Sequence, residues 1–446
     1  METRRHAKLT GVRHELKDPD MIVSTILRSS VDEPICILDS CGARQGDSRS
    51  LLAGIEPVRM TEVPEDADAK TCLDALEVAV SGDKAVFFTI SYDLGPKLLG
   101  IESRHTSLEP LVFTAEFDRF VMFDHETNRA TVIGNSAVWP AMDIEDTQKD
   151  PPYLSETLAA TVHSDFSRDE YILAVEDIQE LIRGGVTYQT NLTQKLNAEL
   201  PNGLTPETIF QRLRKHHPAP FSAFIRRKDS TVISASPERF FKVSGARDGK
   251  RTIRTSPIKG TCPRGTTPHE DEQLKNGLLR SKKDRAENTM IVDLLRNDIG
   301  RICEFGSVRV ERLCDIEEHP TYFNLVSTIA GELRDGVSIP DILRAAFPCG
   351  SITGAPKIST MRIIDEIERG PRGLSMGAIG YYIPESFGIG ERLDLSVAIR
   401  TMTVRGRHAE FNVGGGITIE SDPVSEYEET LVKATALLDA INGKLA

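Results

Sequence analysis

The stretch Ser167-Arg-Asp-Glu-Tyr-Ile-Leu-Ala-Val-Glu-Asp-Ile-Gln-Glu-Leu-Ile-Arg-Gly-Gly185 predicts a complete helix, and the segment after it predicts a strand. Ser167 and Glu170 have the spacing of a capping box, in which each side chain bonds to the other residue's backbone N–H. One apolar stripe at helical spacing follows: Tyr171, Ala174, Val175, Ile178, Leu181 and Ile182. Gly184-Gly185 is typical of a helix end, and Tyr188–Leu196 has the composition of a strand.

Helices and strands also mix on both sides of this pair. Before it, short apolar runs fit strands of a mostly antiparallel sheet, for example Pro34–Leu38, Ala85–Ile90 and Phe120–Phe123. After it, helices are predicted at about 270–296, 340–346, 356–369 and 423–441, and strands at Thr231–Ser234 and Leu393–Thr403. Because the two kinds of segment do not alternate regularly, the pattern predicts an α+β fold rather than a doubly wound sheet.

The length of the chain and one acidic segment predict two domains. A chain of 446 residues exceeds one ordinary hydrophobic core. Asp143–Pro152 is acidic and ends in two prolines, which is typical of a linker. We therefore expect an N-terminal domain over residues 1–150 and a second domain over 151–446.

Composition and charge exclude several classes of protein. Apolar residues make up 39% and charged residues 27%, as in globular proteins, and no apolar run is long enough to span a membrane. The mixed-charge segment Met1–Asp20 does not resemble a secretory signal. A net charge of −13 argues against a nucleic-acid partner. The seven cysteines are scattered without a CxxC pair, which favours reduced thiols and a cytoplasmic location.

Lys259 lies in a turn-rich motif, Thr255-Ser-Pro-Ile-Lys-Gly-Thr261, and is a candidate nucleophile. A lysine held against a bound substrate can attack as a neutral amine if burial lowers its pKa. The alternative is a solvated loop lysine.

Two pairs of acidic residues have the spacing expected of a metal site. Asp284 and Glu287 lie one helical turn apart at the start of a core-facing stripe. Glu426 and Glu429 repeat this spacing in the last helix, after the glycines Gly414-Gly-Gly416. Converging carboxylates would form the oxygen-rich site that Mg²⁺ prefers. The alternative is that each pair stabilises its helix through the dipole.

Three further segments are candidates for substrate contacts. Glu238 follows an apolar strand and is a candidate general acid, or else a surface partner of Arg239. Arg400 ends an alternating strand and could hold a carboxylate, or else form a structural ion pair. Pro348-Cys-Gly-Ser-Ile-Thr-Gly-Ala-Pro-Lys357 is a glycine-bearing turn whose backbone N–H groups could bind an anion, or else a plain helix-start loop.

Together these segments resemble the chorismate-utilising enzymes, a family that includes anthranilate, aminodeoxychorismate, isochorismate and salicylate synthases. The resemblance covers about 165–440, with a weaker likeness near Ile37–Ser40 and Ile90–Gly95 to the anthranilate and aminodeoxychorismate branches. The motifs are Thr187-Tyr-Gln-Thr-Asn-Leu-Thr193, Ser236-Pro-Glu-Arg-Phe240, Ser256-Pro-Ile-Lys-Gly-Thr261, Glu287–Arg301, Ser351-Ile-Thr-Gly-Ala-Pro-Lys357, Asp394–Thr401, Gly414-Gly-Gly-Ile417 and Glu426-Tyr-Glu-Glu-Thr430. It implies a two-subdomain α/β sandwich with large, mostly antiparallel sheets, like that of anthranilate synthase component I.

Two positions select a branch of the family. Members that add water to chorismate have a lysine base where this chain has Gln189, so isochorismate and salicylate synthesis are not expected. Anthranilate synthases have alanine where this chain has Lys259, whereas aminodeoxychorismate synthases have lysine. The resemblance therefore implies component I of the aminodeoxychorismate branch, which acts toward para-aminobenzoate and folate. Anthranilate synthesis and a non-catalytic, amino-acid-binding homologue are the alternatives.

The resemblance also implies roles for individual residues. Lys259 would attack C2 of chorismate while Glu238 protonates the leaving C4 hydroxyl, and ammonia would then displace the lysine. Mg²⁺ would be held by Glu287 and Glu429, supported by Asp284 and Glu426. The residues expected at the substrate are Thr261, Tyr381, Arg400, Gly414, Gly415, Gly416, Gln189 and Lys357.

One position departs from the family, and one partner is implied. Asn324 precedes Leu325-Val-Ser-Thr328 where the family usually has histidine, so no proton charge is available there near pH 7. The sequence shows no glutamine-hydrolysing segment, so ammonia is expected to come from a separate glutamine amidotransferase subunit.

Overall fold

The computed structural model describes residues 18–30, 33–43, 49–134, 159–245, 249–318 and 322–446. The predicted linker Asp143–Pro152, and with it the predicted domain boundary, lies outside these residues. The helices of the described residues are α1 Pro19–Ser29, α2 Ala69–Val80, α3 Leu94–Leu98, α4 Arg168–Arg183, α5 Pro206–His216, α6 Pro268–Arg280, α7 Lys282–Gly300, α8 Ile339–Ala346, α9 Lys357–Ile367 and α10 Pro423–Ile441. None of them is long and apolar enough to cross a membrane.

The strands form two large sheets. The described strands are β1 Ile35–Asp39, β2 Ser50–Ile55, β3 Arg59–Val63, β4 Ala85–Ile90, β5 Val112–Phe117, β6 Arg119–Asp124, β7 Arg129–Gly134, β8 Ala160–Ser164, β9 Gln189–Glu199, β10 Phe221–Arg226, β11 Thr231–Ser236, β12 Arg239–Gly245, β13 Arg251–Ser256, β14 Ile258–Pro263, β15 Arg309–Glu318, β16 Tyr322–Glu332, β17 Gly354–Ala355, β18 Ala378–Ile383, β19 Arg392–Val397, β20 Thr401–Arg405, β21 His408–Ile417 and β22 Gly443–Leu445.

Sheet I has the order β22-β8-β9-β21-β20-β11-β10-β1-β2-β6-β7, with β17 added beside β9. Sheet II has the order β14-β16-β13-β12-β19-β18-β4-β5-β3, with β15 added beside β16. Among the described strand pairs, only β8 with β22 is parallel. Both sheets contain early and late strands, since β1 pairs with β10 and β4 with β18. The N-terminal strands therefore extend the sheets of the later residues rather than forming sheets of their own.

The two sheets pack face to face, and helices cover their outer faces. Alternate residues of β4 show the layering: Phe87 points into the apolar layer between the sheets, whereas Phe88 points toward α2, α7 and α8. Helices α1, α5 and α10 cover sheet I in the same way. The central strands are apolar on both faces because both faces are buried. The predicted α+β sandwich of mostly antiparallel sheets is confirmed.

The predicted elements are largely in place, with two differences that affect the site. The helix predicted at about 270–296 is interrupted at Ser281, whose extended backbone ends α6 and whose side chain caps α7 through Asp284 N–H. The strand predicted over Leu393–Thr403 is two strands, because the chain leaves sheet II after Val397 and enters sheet I at Thr401. Arg400 takes φ +49° at this crossing, a left-handed conformation that a continuous strand does not allow.

Candidate active site

Two neighbouring crossings between the sheets hold Glu238 and Arg400. The chain passes from β11 of sheet I to β12 of sheet II through Pro237-Glu238, and from β19 back to β20 through Arg400. The backbones of the two crossings are bonded to each other: Val397 N donates to Glu238 O at 3.0 Å, and Ala235 N donates to Arg400 O at 3.0 Å. The fold thus fixes an acid and a guanidinium where the two sheets meet.

Lys259 extends from β14 toward the glycine-rich end of β21. Its Nζ donates to the carbonyl oxygen of Ser351 at 3.4 Å. A Cβ placed on Gly416 would lie 3.2 Å from the same nitrogen and 2.4 Å from Nε2 of Gln189. The absence of a side chain at Gly416 is therefore what leaves room for both groups. Glycine is needed at position 414 for a different reason. A Cβ there would lie 2.0 Å from the carbonyl oxygen of Leu192 on the paired strand.

Glu238 is a buried acid whose pKa lies near neutral pH. Its side chain is 4% exposed, and Oε1 has no hydrogen-bond partner among the described residues. Burial raises the pKa of Glu238 to about 7, against the opposing effects of the Ser351 hydroxyl and of Lys259 and Lys433. A carboxyl group with this pKa can donate a proton at neutral pH, as a general acid must.

Gln189 presents an unsatisfied carboxamide to this space. The residue is fully buried, and neither its Nε2 nor its Oε1 has a hydrogen-bond partner among the described residues. Buried amides are almost always bonded, so an orphaned one beside Lys259 indicates a place for a polar ligand.

The four predicted metal ligands lie around the same region, but they do not form a closed cluster. Among the described residues, no three acidic, histidine or cysteine side chains converge on one point. Asp284 lies against Gly260, next to Lys259, and Glu426 accepts from Ser421 Oγ at 2.7 Å. Glu287 keeps a buried Oε1 without a partner, and burial raises its pKa. An orphaned oxygen among carboxylates fits a hard cation such as Mg²⁺.

Two lysines that the sequence interpretation missed lie among these carboxylates. Lys433 Nζ lies 2.7 Å from Glu429 and donates to Gly414 O at 2.9 Å, and Lys283 Nζ lies 3.4 Å from Glu426. Lys433 lowers the pKa of Glu429, although burial opposes it. The i,i+4 spacing of Glu429 and Lys433 on one helix was the available signal.

Thr261 and Asn324 form a polar pair on the strands β14 and β16. Thr261 Oγ1 donates to Asn324 Oδ1 at 2.8 Å. Asn324 is buried, so the amide that replaces the family's histidine is held in the interior beside Thr261. Its hydrogen bonding does not change with protonation near neutral pH.

Arg400 is a mostly buried cation, and burial lowers its pKa despite nearby Tyr322. The structure shows no hydrogen bond or ion pair from its guanidinium to any described residue, which leaves its donors available for a carboxylate.

Two predicted substrate contacts are placed elsewhere. Lys357 is engaged in an ion pair, with its Nζ 2.6 Å from Asp298 and 3.0 Å from Ala346 O, because α9 begins against the end of α7. Tyr381 lies in the layer between the sheets, 6.4 Å from the ring of Phe87. Both side chains thus contact other protein groups in this structure, and their assignment as substrate contacts stays a prediction.

Tyr381 instead lines a separate cavity of about 720 Å³. Leu38, Asp39 and Ser40 also line it, so this is where the N-terminal likeness to the family lies. Asp39 is held there by Arg214, at 2.7 Å, and by His125, at 2.8 Å. None of Lys259, Glu238 and Gln189 lines this cavity.

Comparisons with known proteins agree with this architecture. A sequence profile for chorismate binding enzymes matches residues 33–439. The chain is 40% identical over 342 residues to an aminodeoxychorismate synthase of Streptomyces pristinaespiralis, covering 73% of this chain and 46% of that one. It is 34% identical over 414 residues to aminodeoxychorismate synthase component 1 of Escherichia coli strain K12, covering 92% and 88%. The chain thus spans about half the length of the first of these relatives.

A solved structure shows the same fold. The crystal structure of anthranilate synthase component I from Streptococcus pneumoniae TIGR4 superposes with a TM-score of 0.70 at 27% identity, covering 88% of this chain and 93% of that one. The profile match spans nearly the whole described chain, and the Escherichia coli relative is matched over most of its length. The chain belongs to the chorismate binding enzyme family.

Proposed function

We propose that this chain is an aminodeoxychorismate synthase component I, which replaces the C4 hydroxyl of chorismate by ammonia to give 4-amino-4-deoxychorismate. The observation that carries the proposal is that Lys259 reaches the space left by Gly416 together with the orphaned amide of Gln189, close enough to the buried acid Glu238 for their charges to interact. An amine and a protonated acid in one water-poor site are the two groups that a covalent displacement needs.

The reaction follows from these two groups. Lys259, as a neutral amine, forms a bond to C2 of chorismate, both ring double bonds shift by one position, and the C4–O bond breaks, which leaves the lysine nitrogen as a cation that keeps its two protons. Glu238 gives its proton to the departing oxygen, which leaves as water. Ammonia then bonds to C4 as an ammonium group, both double bonds shift back, and the C2–N bond breaks, which returns Lys259 as a neutral amine. Gln189 replaces the lysine base of water-adding relatives, so water lacks a base here.

Binding of the substrate is assigned to the remaining polar groups. Arg400 has free donors for the enolpyruvyl carboxylate, and a fork of this kind holds a carboxylate through two hydrogen bonds. Glu287 and Glu429, supported by Asp284 and Glu426, would hold Mg²⁺, which when bound neutralises and anchors the ring carboxylate. The name component 1 of the Escherichia coli relative supports a partner, and we propose a glutamine amidotransferase subunit as the source of ammonia.

The decisive experiment is a product assay with chorismate, Mg²⁺ and ammonium salt, read by mass spectrometry. We expect aminodeoxychorismate from the wild type and none from Lys259→Ala. Lys282→Ala, which removes an exposed lysine at the start of α7, is the matched control and should stay active. Anthranilate with pyruvate as the products would instead identify an anthranilate synthase.

A wild type that binds chorismate in calorimetry but gives no product with ammonia would indicate the non-catalytic alternative. Activity retained in Lys259→Ala would remove the covalent role of that lysine.

A further inference from the structure

Asn191 on β9 presents a second unsatisfied amide to the space around Lys259. The residue is 6% exposed, and its Oδ1 has no hydrogen-bond partner among the described residues. Asn191 and Gln189 are alternate residues of one strand, so their side chains lie on the same face of sheet I. Buried amide oxygens without partners are rare, and two on one face indicate a ligand that brings hydrogen-bond donors.

The pairing of β9 with β21 places this amide beside Lys259. Asn191 is directly opposite Gly416. The Cβ atoms of directly opposite residues lie about 5 Å apart on one face of a sheet, and a Cβ on Gly416 would lie 3.2 Å from Lys259 Nζ. The neighbouring pair faces the other way, because Leu192 packs against α4 and a Cβ on Gly415 would point toward α10. Asn191 therefore lines the Lys259 side of the sheet.

The backbone of Asn191 is already fully bonded. Its N–H donates to Thr353 O at 2.7 Å, and its carbonyl oxygen accepts from Arg372 Nη2 at 2.8 Å. The same guanidinium is buried and forms an ion pair with Glu368 at 2.7 Å. A strand residue held in this way keeps its side chain in a fixed place, so the free Oδ1 is a preorganised acceptor.

We propose that Asn191, together with Gln189, holds the ammonia that attacks C4 of chorismate. Ammonia has three N–H donors and one lone pair, so two amide oxygens can each accept an N–H and leave the lone pair directed at carbon. The carboxylates of chorismate carry no donor, so they are poor partners for these oxygens. C2 and C4 flank the same ring carbon, so ammonia must bind close to the nitrogen of Lys259, which bonds to C2.

The attack itself needs no further proton acceptor. Ammonia bonds to C4 as an ammonium group, and the electron pair of the C2–N bond returns to Lys259. Each amide oxygen keeps its N–H bond as the attacking nitrogen becomes positive, and a hydrogen bond from a charged donor is stronger than one from a neutral donor. Asn191 therefore favours the charge that develops during the attack as well as holding the reactant.

This inference rests on the proposed function for the reaction itself, and the dependence of the rate on ammonia tests it. Asn191→Leu has nearly the same shape and removes the amide. With ammonium salt and saturating chorismate, we expect kcat/KM for ammonia to fall about tenfold, the usual effect of one lost hydrogen bond. The affinity for chorismate, measured by calorimetry without ammonia, should stay unchanged because the amide does not contact the carboxylates.

Asn197→Leu is the matched control. Asn197 lies on the same face of β9, but it is opposite Glu410, toward the far end of the strand. This variant should leave kcat/KM for ammonia unchanged. If Asn191→Leu does not fold, Asn191→Ala is measured in its place, with the same expected loss.

The outcomes separate this inference from the proposed function. An unchanged kcat/KM for ammonia in the folded variant, or a loss of affinity for chorismate alone, overturns the ammonia site even if the product is aminodeoxychorismate. Anthranilate as the product would remove the proposed function, yet the loss in kcat/KM for ammonia would still support the site. A wild type that gives no product with ammonia overturns both.

Discussion

The ammonium group of Lys357 lies 2.6 Å from the carboxylate of Asp298, joining the first residue of α9 to the last turn of α7. Both side chains are almost fully buried, and Arg301 lies 2.7 Å from the other oxygen of Asp298. The pair connects the helix that carries Asp284 and Glu287 to the segment that carries Ser351. This ion pair therefore holds two parts of the site together.

Replacing this lysine is expected to destabilise the fold rather than weaken substrate binding. Lys357→Met leaves Asp298 buried with a single, half-exposed partner, which costs about 3 kcal/mol of unfolding free energy, as for other broken buried pairs. The double variant Lys357→Met/Asp298→Leu should recover much of that loss. Urea unfolding measures both. A stable Lys357→Met with a raised KM for chorismate would restore the lysine to the substrate site.

Glu238 is expected to make stability depend on pH near neutrality. Its folded pKa of about 7 exceeds the ordinary value of 4.5, so between these limits the folded state binds more protons than the unfolded state. Below about pH 4.5 Glu238 is protonated in both the folded and the unfolded state, and its contribution to the free energy of unfolding is fully present. That contribution is lost as the pH rises through 7. The wild type should lose about 3 kcal/mol relative to Glu238→Gln between pH 4.5 and 8. Parallel stability curves for the two proteins would show that Glu238 keeps its ordinary pKa.

The proposed role of Glu238 as general acid predicts that its pKa sets the alkaline limit of activity. Because the acid must carry its proton, kcat should decline as pH rises through about 7, the folded pKa of Glu238. Glu238→Gln should lose about 10²–10⁴-fold in kcat, the usual contribution of a general acid, and the residual rate should lack that decline. The measurement is kcat with saturating ammonia across the pH range. A decline that persists in Glu238→Gln must come from another group.

The sequence predicted the parts of the site that follow from local pattern. The apolar runs of β1 and β4, the capping box at Ser167 and the helix from Pro423 are all where periodicity and capping chemistry place them. A local sequence pattern does not predict where a side chain points after the chain crosses from one sheet to the other. Thr401 follows Val397 closely in sequence but belongs to the opposite sheet, so the continuous strand prediction was wrong there.

Tyr381 and Lys357, whose side chains contact other protein groups instead of Lys259 or Glu238, show the same limit. Tyr381 alternates with Gly380 on β18, and only the register of the whole sheet decides which of its faces meets the other sheet. Lys357 follows a proline in a glycine-rich motif, which suited an anion site, but its charge is already neutralised by Asp298, a residue 59 positions away. Partners so distant in sequence leave no local signal.

The unsatisfied amide of Gln189 is expected to lower the stability of the free protein and to contact the bound substrate. Gln189→Met has nearly the same shape and removes two unsatisfied buried polar atoms, so it should raise the free energy of unfolding by about 1–2 kcal/mol. It should also weaken turnover of chorismate, because the ligand loses its polar contact. Thermal unfolding without ligand and kinetics with chorismate measure the two effects. A less stable Gln189→Met would mean that the amide has a bound partner, such as water, in the free protein.

Neighbouring glycines of β21 should respond differently to alanine. In Gly416→Ala the new Cβ would press on Gln189 Nε2 at 2.4 Å and Lys259 Nζ at 3.2 Å, so the proposed nucleophile would be displaced. In Gly415→Ala it would meet Glu426 Oε2 at 3.1 Å and Lys433 Nζ at 3.4 Å, which are mild contacts on the acidic side. A displacement of about 1 Å can cost on the order of 10² in rate, so we expect that loss in Gly416→Ala and a much smaller one in Gly415→Ala.

The proposed Mg²⁺ site predicts a further difference between the two variants. Gly415→Ala perturbs the carboxylates, so its activity should need more Mg²⁺, whereas added Mg²⁺ should not restore Gly416→Ala. Titrations of kcat/KM against Mg²⁺ for the two variants test this assignment. If added Mg²⁺ restored the activity of Gly416→Ala, the loss would come from the carboxylates that bind the metal. That result would contradict the proposed role of Lys259.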